Sequence, residues 1–211
     1  MKRIFIGYDK RQPIAYHVLC QSILENASVP VAITPLVLET LPIERRGLTD
    51  FTFSRYLVPY LCGYEGEAIF MDSDMLVLGD VAELSTDHPV SVVKREGELK
   101  FEESSVMVFD CAQCKRLTPH FIEIGKPQCF EWADSVGELD PNWNVLVGYE
   151  TRPHPKLLHY TMGVPAYKEC RFYDASIWHQ YRQNAENTPS WIEIMGGSVH
   201  MPKVLERLKC S

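Results

Sequence analysis

No apolar run in this chain approaches the ~18 residues that cross a membrane as a helix. There is no excess of basic charge either. Lys and Arg number 21 against 28 Asp and Glu, a formal net charge of −7, and that argues against a general nucleic-acid binder, whose footprint is basic. The sequence has no internal repeat, no low-complexity tract and no linker. It has no disulfide framework: seven cysteines, an odd count at scattered spacing, read as free thiols of a reducing cytosol. Cys111 and Cys114 are spaced as a redox or metal half-site, but no second Cys/His pair lies at zinc-site spacing, so the first turn of a helix is the commoner reading. The opening residues, Met1 to Asp9, hold three apolar residues before a turn. They read as a first strand and not as a secretory signal.

What is present is ordinary for a globular protein: 45% hydrophobic and 23% charged residues over 211 positions. That length buries a full core and predicts one domain, 1–211, with 165–211 as a small helical or irregular extension. Arg3 to Gly7 reads as a strand. Pro13 opens a helix whose apolar period (Ile14, Val18, Leu19, Ile23, Leu24) runs to Asn26. Val31 to Leu38 reads as a strand broken by Pro35. Thr52 or Ser54 caps a helix to Leu61, kinked at Pro59 and ended by Gly63. Further strands are expected at Val90–Lys94, Ser105–Phe109 and Leu157–Tyr160, and helices at Cys111–Ile124 and Pro202–Lys209. Glu96–Glu103 reads as a charged, mobile loop. Strand–helix alternation predicts an α/β fold, a Rossmann-like domain with a mostly parallel central sheet flanked by helices.

The most informative segment is Ala68 to Leu78, the most strand-like run of the chain, which carries Asp72 and Asp74 inside it. Carboxylates at the carboxyl end of a buried strand face the crevice where open α/β sheets bind ligands. One residue apart, both reach one hard cation. A solvated turn is the alternative, and the apolar flanks weigh against it. Three other places carry chemistry. Tyr8 and Asp9 follow strand one at the same sheet edge, suited to stacking on a base and to accepting from a base or ribose hydroxyl. Arg55, on a helix upstream of the Asp strand, suits a phosphate, although taken alone a surface salt bridge is the commoner role. His159, after a short apolar strand and four residues before Gly163, offers a nitrogen. Two carboxylates and an imidazole suit Mn²⁺ better than Ca²⁺.

The order of these motifs resembles the family 8 glycosyltransferases and their bacterial relatives, which have the GT-A fold. The resemblance runs from about Ile4 to Trp178. It rests on the strand-one loop, Ser54-Arg55-Tyr56-Leu57, Ile69 to Val77 with its Asp-Ser-Asp, Ser104 to Phe109, Trp143-Asn144, and His159-Tyr160-Thr161-x-Gly163. It implies that Asp72, Asp74 and His159 hold Mn²⁺ or Mg²⁺, and that Tyr8 and Asp9 contact the nucleotide. By the same resemblance Arg55 holds the donor, Ser104 and Ser105 line the sugar pocket, and Asn144 and Gly163 belong to the donor site. Two segments depart from the family pattern. Where members carry Asp-Gln-Asp, this chain reads Phe130 to Asp134, leaving Glu131 and Asp134 as candidate catalytic carboxylates. Where members carry Lys-Pro-Trp, Lys168 is the candidate contact to the diphosphate.

The function implied is transfer of a sugar from a nucleotide sugar, a UDP-sugar by preference, to an acceptor with retention of configuration. The acceptor could be a glycan, a lipid-linked sugar or a protein. A cytoplasmic location is expected, and an oligomer is compatible with the sequence. Two other readings are carried. A degenerate fold that binds a nucleotide sugar without turnover fits the missing Asp-Gln-Asp. A haloacid dehalogenase-type phosphatase also places Asp-x-Asp after an apolar strand, but there the motif opens the chain and a Thr or Val stands where this one has Leu76.

Overall fold

The computed structural model describes residues 1–167 and 175–209. Strand β1 (Lys2–Gly7) leads into helix α1 (Pro13–Asn26) and back to β2 (Val31–Leu36). A 3₁₀ segment, Ser54–Leu57, runs directly into the short helix α2 (Val58–Leu61), and β3 (Glu67–Met71) and β4 (Met75–Val77) follow. Strands β5 (Val90–Val92) and β6 (Val106–Asp110) precede α3 (Pro119–Ile124) and β7 (Val136–Glu138). Then come β8 (Val145–Leu146), β9 (Leu157–His159) and three helices, α4 (Ala175–Ala185), α5 (Trp191–Met195) and α6 (Met201–Leu208). None of the described helices is long and apolar enough to cross a membrane.

Six strands form the main sheet in the order β2-β1-β3-β6-β5-β7. The sheet is mixed. β1 pairs in parallel with β2 and β3, and β5 with β7, whereas β6 is antiparallel to both its neighbours. Alternation along each strand explains why this sheet is covered on both faces. Phe5, Phe70, Met107 and Phe109 enter one buried cluster, with Tyr56 and Trp132. Ile4, Ile6, Ile69, Met71 and Val108 enter the other, with Leu19, Ile23 and Trp143. The period of two sends successive side chains to opposite faces, and each such large apolar group buried contributes about 2 kcal/mol. A second, three-stranded sheet has the order β4-β9-β8. Its Leu76, Val145 and Leu158 pack with Ala15 and Val18 of α1 and with Trp178 of α4.

Several sequence expectations change in detail. The single run Ala68–Leu78 is two strands in two sheets, with Asp72-Ser73-Asp74 at the junction. Pro35 does not break β2, because β2 is an edge strand, where a missing N–H is tolerated. Pro59 starts α2 rather than kinking a longer helix. Likewise Pro119 opens α3, whose cap is Thr118, accepting from the Phe121 N–H at 3.1 Å. Cys111 and Cys114 stand before it, in and after a separate 3₁₀ turn. The largest correction concerns Glu96–Glu103. Gly97–Ser105 is 3₁₀ helical, and Glu102 is buried at 3% exposure.

Candidate metal centre

The junction between the two sheets holds the acids in place through the backbone. The Asp72 N–H donates to the Ser105 carbonyl at 3.0 Å, extending the β3–β6 ladder, and the Asp74 carbonyl accepts from the Tyr160 N–H at 2.8 Å, extending β4–β9. Each aspartate is thus tied to a different sheet. β9 pairs Met75 with His159, which sets the imidazole beside Asp74. One ligand atom from each of Asp72, Asp74 and His159 lies within 4.8 Å of the others, and this is the single such His/Cys/Asp/Glu group among the described residues.

The imidazole is oriented from behind. His159 Nδ1 lies 3.0 Å from Asn144 Oδ1, and the Asn144 amide donates to the Glu102 carbonyl at 3.1 Å. Its Nδ2 being spent as donor, Asn144 presents its oxygen, so His159 Nδ1 carries the proton and Nε2 faces Asp74 Oδ1 at 3.5 Å. This is the tautomer a metal ligand needs. Asn144 is fully buried and positions His159.

Arg55 is 7% exposed and not the surface residue that its sequence position alone favours. Its guanidinium lies 3.0 Å from Asp72 Oδ1 and donates to the Ser104 carbonyl at 2.7 Å, while Nε donates to the Phe51 carbonyl at 3.2 Å. The Asp72 contact is ionic and not a directed hydrogen bond, because Asp72 Oδ1 and Asp74 Oδ1 are both buried atoms without a hydrogen-bond partner. Orphaned carboxylate oxygens converging on an imidazole nitrogen fit a small divalent cation. The O, O, N donor set suits Mn²⁺ or Mg²⁺.

Electrostatics express the same crowding. Burial pushes the Asp72 carboxyl up to about 7; Asp74 and Glu102 add to the rise, while Arg55 and His159 oppose it. Burial alone lowers His159, but the Asp74 carboxylate, backed by Glu102 and Asp72, outweighs it and raises the imidazole above its ordinary value.

A cavity of about 780 Å³ opens from these residues. Arg55, Asp72, Asp74, Ser104, Ser105, His159 and Thr161 border it, and Phe53, Phe101 and Phe130 line its apolar part. Of the other residues singled out from sequence, Tyr8 and Asp9 sit just beyond β1, whose Ile6 pairs with Met71, so their loop abuts the Asp72 loop. They do not border the cavity. Asp9 is buried and held by Arg11, whose Nε donates at 2.8 Å and whose guanidinium keeps the carboxyl below its ordinary range. Gly7 permits this arrangement, since a Cβ there would fall 2.3 Å from the Phe51 ring. Gly163, at φ 111°, closes the turn after β9 by donating to the Tyr160 carbonyl at 2.7 Å. Lys168 lies outside the described residues.

Glu131 and Asp134 are not brought to the site. Both are exposed, Asp134 pairs with Arg116 at 3.7 Å across the surface, and neither borders the cavity. Phe130 borders it instead, held at φ 57° with its ring against Tyr56 and Trp132. Sequence reading also missed Glu102. It accepts from Ser105 Oγ at 2.8 Å and from Thr161 Oγ1, 3.6 Å from His159 Nδ1. The available signal was its place three residues before buried Ser105, one 3₁₀ turn away.

No protein-family model matches the chain. Protein CDI of Arabidopsis thaliana is 31% identical over 230 aligned positions, spanning 88% of each chain. The chain belongs to the Protein CDI family. Among solved structures it is similar to the glycosyltransferase GlyE of Streptococcus pneumoniae TIGR4, with a TM-score of 0.65 at 16% identity over 86% of this chain. It is also similar to the bifunctional glycosyltransferase WbbM (TM-score 0.62, 16% identity, 92% of this chain). A third is the galactosyltransferase LgtC in complex with donor and acceptor sugar analogues (TM-score 0.58, 10% identity, 90% of this chain and 99% of that one). The chain spans 61% of GlyE and 51% of WbbM. These similarities establish the fold as that of the GT-A glycosyltransferases.

Proposed function

We propose that this chain is a metal-dependent glycosyltransferase of the family 8 type, a cytoplasmic enzyme of one domain with a helical extension. It transfers a sugar from a nucleotide sugar, a UDP-sugar, to an acceptor with retention of configuration. One observation carries the reading: a buried and a half-buried carboxylate and a correctly oriented imidazole converge at the mouth of a cavity in a GT-A fold, with a buried arginine beside them. A divalent cation bound there supplies Lewis-acid stabilisation to a diphosphate leaving group. Arg55 holds Asp72 and adds positive charge at the same end of the cavity. Asn144 keeps the His159 proton on Nδ1, away from the cavity. Attack on the same face as the leaving group, with the departing phosphate oxygen taking the acceptor proton, needs no protein base. That agrees with the exposure of Glu131 and Asp134.

The same exposure favours a second reading, a nucleotide-sugar binder without turnover. Calorimetric titration of UDP in Mn²⁺ and in EDTA, with Asp74→Asn alongside, tests the site. Binding that needs Mn²⁺ and is lost in the variant is expected; no binding in either condition removes both readings. Slow hydrolysis of a UDP-sugar then separates enzyme from binder, because a binder leaves the donor intact.

A further inference from the structure

Behind the three ligands lies a carboxylate that no step above uses. Glu102 is 3% exposed. Its two oxygens accept from the hydroxyls of Ser105 and Thr161 and reach the edge of His159 at 3.6 Å. Among the described residues, no lysine or arginine pairs with it. A buried carboxylate served only by hydroxyls is costly unless a positive charge compensates it nearby. With all three acids ionised and His159 neutral, the state that a bound cation requires, Asp72, Asp74 and Glu102 bring three negative charges to this pocket and Arg55 one positive, a balance of −2. Lys94 and Lys100 border the outer cavity but are exposed and solvated. The deficit is the charge of one divalent cation.

We infer that Glu102 is a positioning and charge-setting residue of the metal centre: it pins the His159 loop and supplies a third negative charge, itself buried, that fixes the site's affinity for a dication. The pinning is threefold. Thr161, two residues past His159, is tied to one carboxylate oxygen. Ser105, whose carbonyl holds the Asp72 N–H, is tied to the other. The Glu102 carbonyl anchors the Asn144 amide that orients the imidazole. Glu102 therefore contacts the support of every ligand except Asp74 while ligating nothing itself. Groups that stand behind metal ligands in this way change metal affinity by about 10- to 100-fold when altered. This inference rests on the metal reading of the site given above.

The test is titration of Mn²⁺ into metal-free protein, free ion being followed by electron paramagnetic resonance, with no nucleotide present. Glu102→Gln keeps the shape, since either hydroxyl can turn to accept from the amide, and removes the charge. Thr161→Val keeps the charge and removes one tie. The expected result is about 10-fold or greater weakening in Glu102→Gln, at a melting temperature in EDTA no lower than that of the wild type, and a loss of about threefold or less in Thr161→Val. Wild-type affinity in Glu102→Gln would overturn the inference while leaving the metal site standing. Equal losses in the two variants would overturn the charge-setting role. If the wild-type protein itself takes up no Mn²⁺, the metal reading falls and this inference falls with it.

Discussion

Replacing Asp72 by asparagine is expected to stabilise the metal-free protein while abolishing metal binding. The carboxyl is raised from 3.8 to about 7 by burial and by the neighbouring acids. A carboxyl raised in the folded state favours folding only while protonated: its contribution is full below about 4 and is lost as pH rises through about 7. At pH 8 the folded protein holds an ionised Asp72 at a cost of up to about 4 kcal/mol, at about 1.4 kcal/mol per pH unit. Asparagine removes that cost. That figure already includes the opposing attraction of Arg55, 3.0 Å away. The gain is up to about 4 kcal/mol at pH 8, shrinks by about 1.4 kcal/mol per unit below pH 7, and vanishes near pH 4, where Asp72 is protonated in the folded and the unfolded chain alike. Urea denaturation in EDTA at the two pH values reads it directly. Repeated in Mn²⁺, the order inverts, because only the wild type binds the ion. A variant less stable than wild type at pH 8 in EDTA would refute the electrostatic account of this site.

Two further substitutions probe the supports. Asn144→Leu leaves His159 Nδ1 and the Glu102 carbonyl without partners; it should cost about 2–4 kcal/mol in urea denaturation and weaken Mn²⁺ binding by at least about 10-fold in calorimetry, whereas wild-type metal affinity would show that the tautomer is set elsewhere. Arg55→Ala strands Asp72 and frees the Ser104 and Phe51 carbonyls; about 3–5 kcal/mol of destabilisation at pH 8 is expected, and a loss under 1 kcal/mol would mean that water replaces the guanidinium.

What could be read from the sequence follows the physics of each signal. Asp72 and Asp74 stood out because acids inside an apolar run contradict its burial, and the structure places them at a sheet junction, Asp72 buried and Asp74 half-buried. His159 was legible only through its company. The split of Ala68–Leu78 into two sheets was not, since both halves carry the same apolar pattern and the break is only three residues long. Glu102 was hidden among the three other acids and one lysine of Glu96–Glu103, a composition that reads as a solvated face; only tertiary packing turns one member inward. Asn144 was identified as part of the site, but its role came from hydrogen bonds that no spacing encodes. Glu131 and Asp134 look equivalent to useful carboxylates in one dimension, yet the left-handed backbone at Phe130 presents the aromatic ring to the cavity while both acids lie exposed.

The Asp72-Ser73-Asp74 junction has a mechanical consequence. The small sheet has strands of three, three and two residues, too short for much independent stability. Asp72 belongs to the end of the large sheet, and Asp74 and His159 to the small one. An ion held by all three is a rivet through both sheets. Loading it would couple the opening of β4, β8 and β9 to that of the central strands, so their slow amide exchange would merge into one cooperative unit. Stripped of the ion, the small sheet would open independently of the central strands.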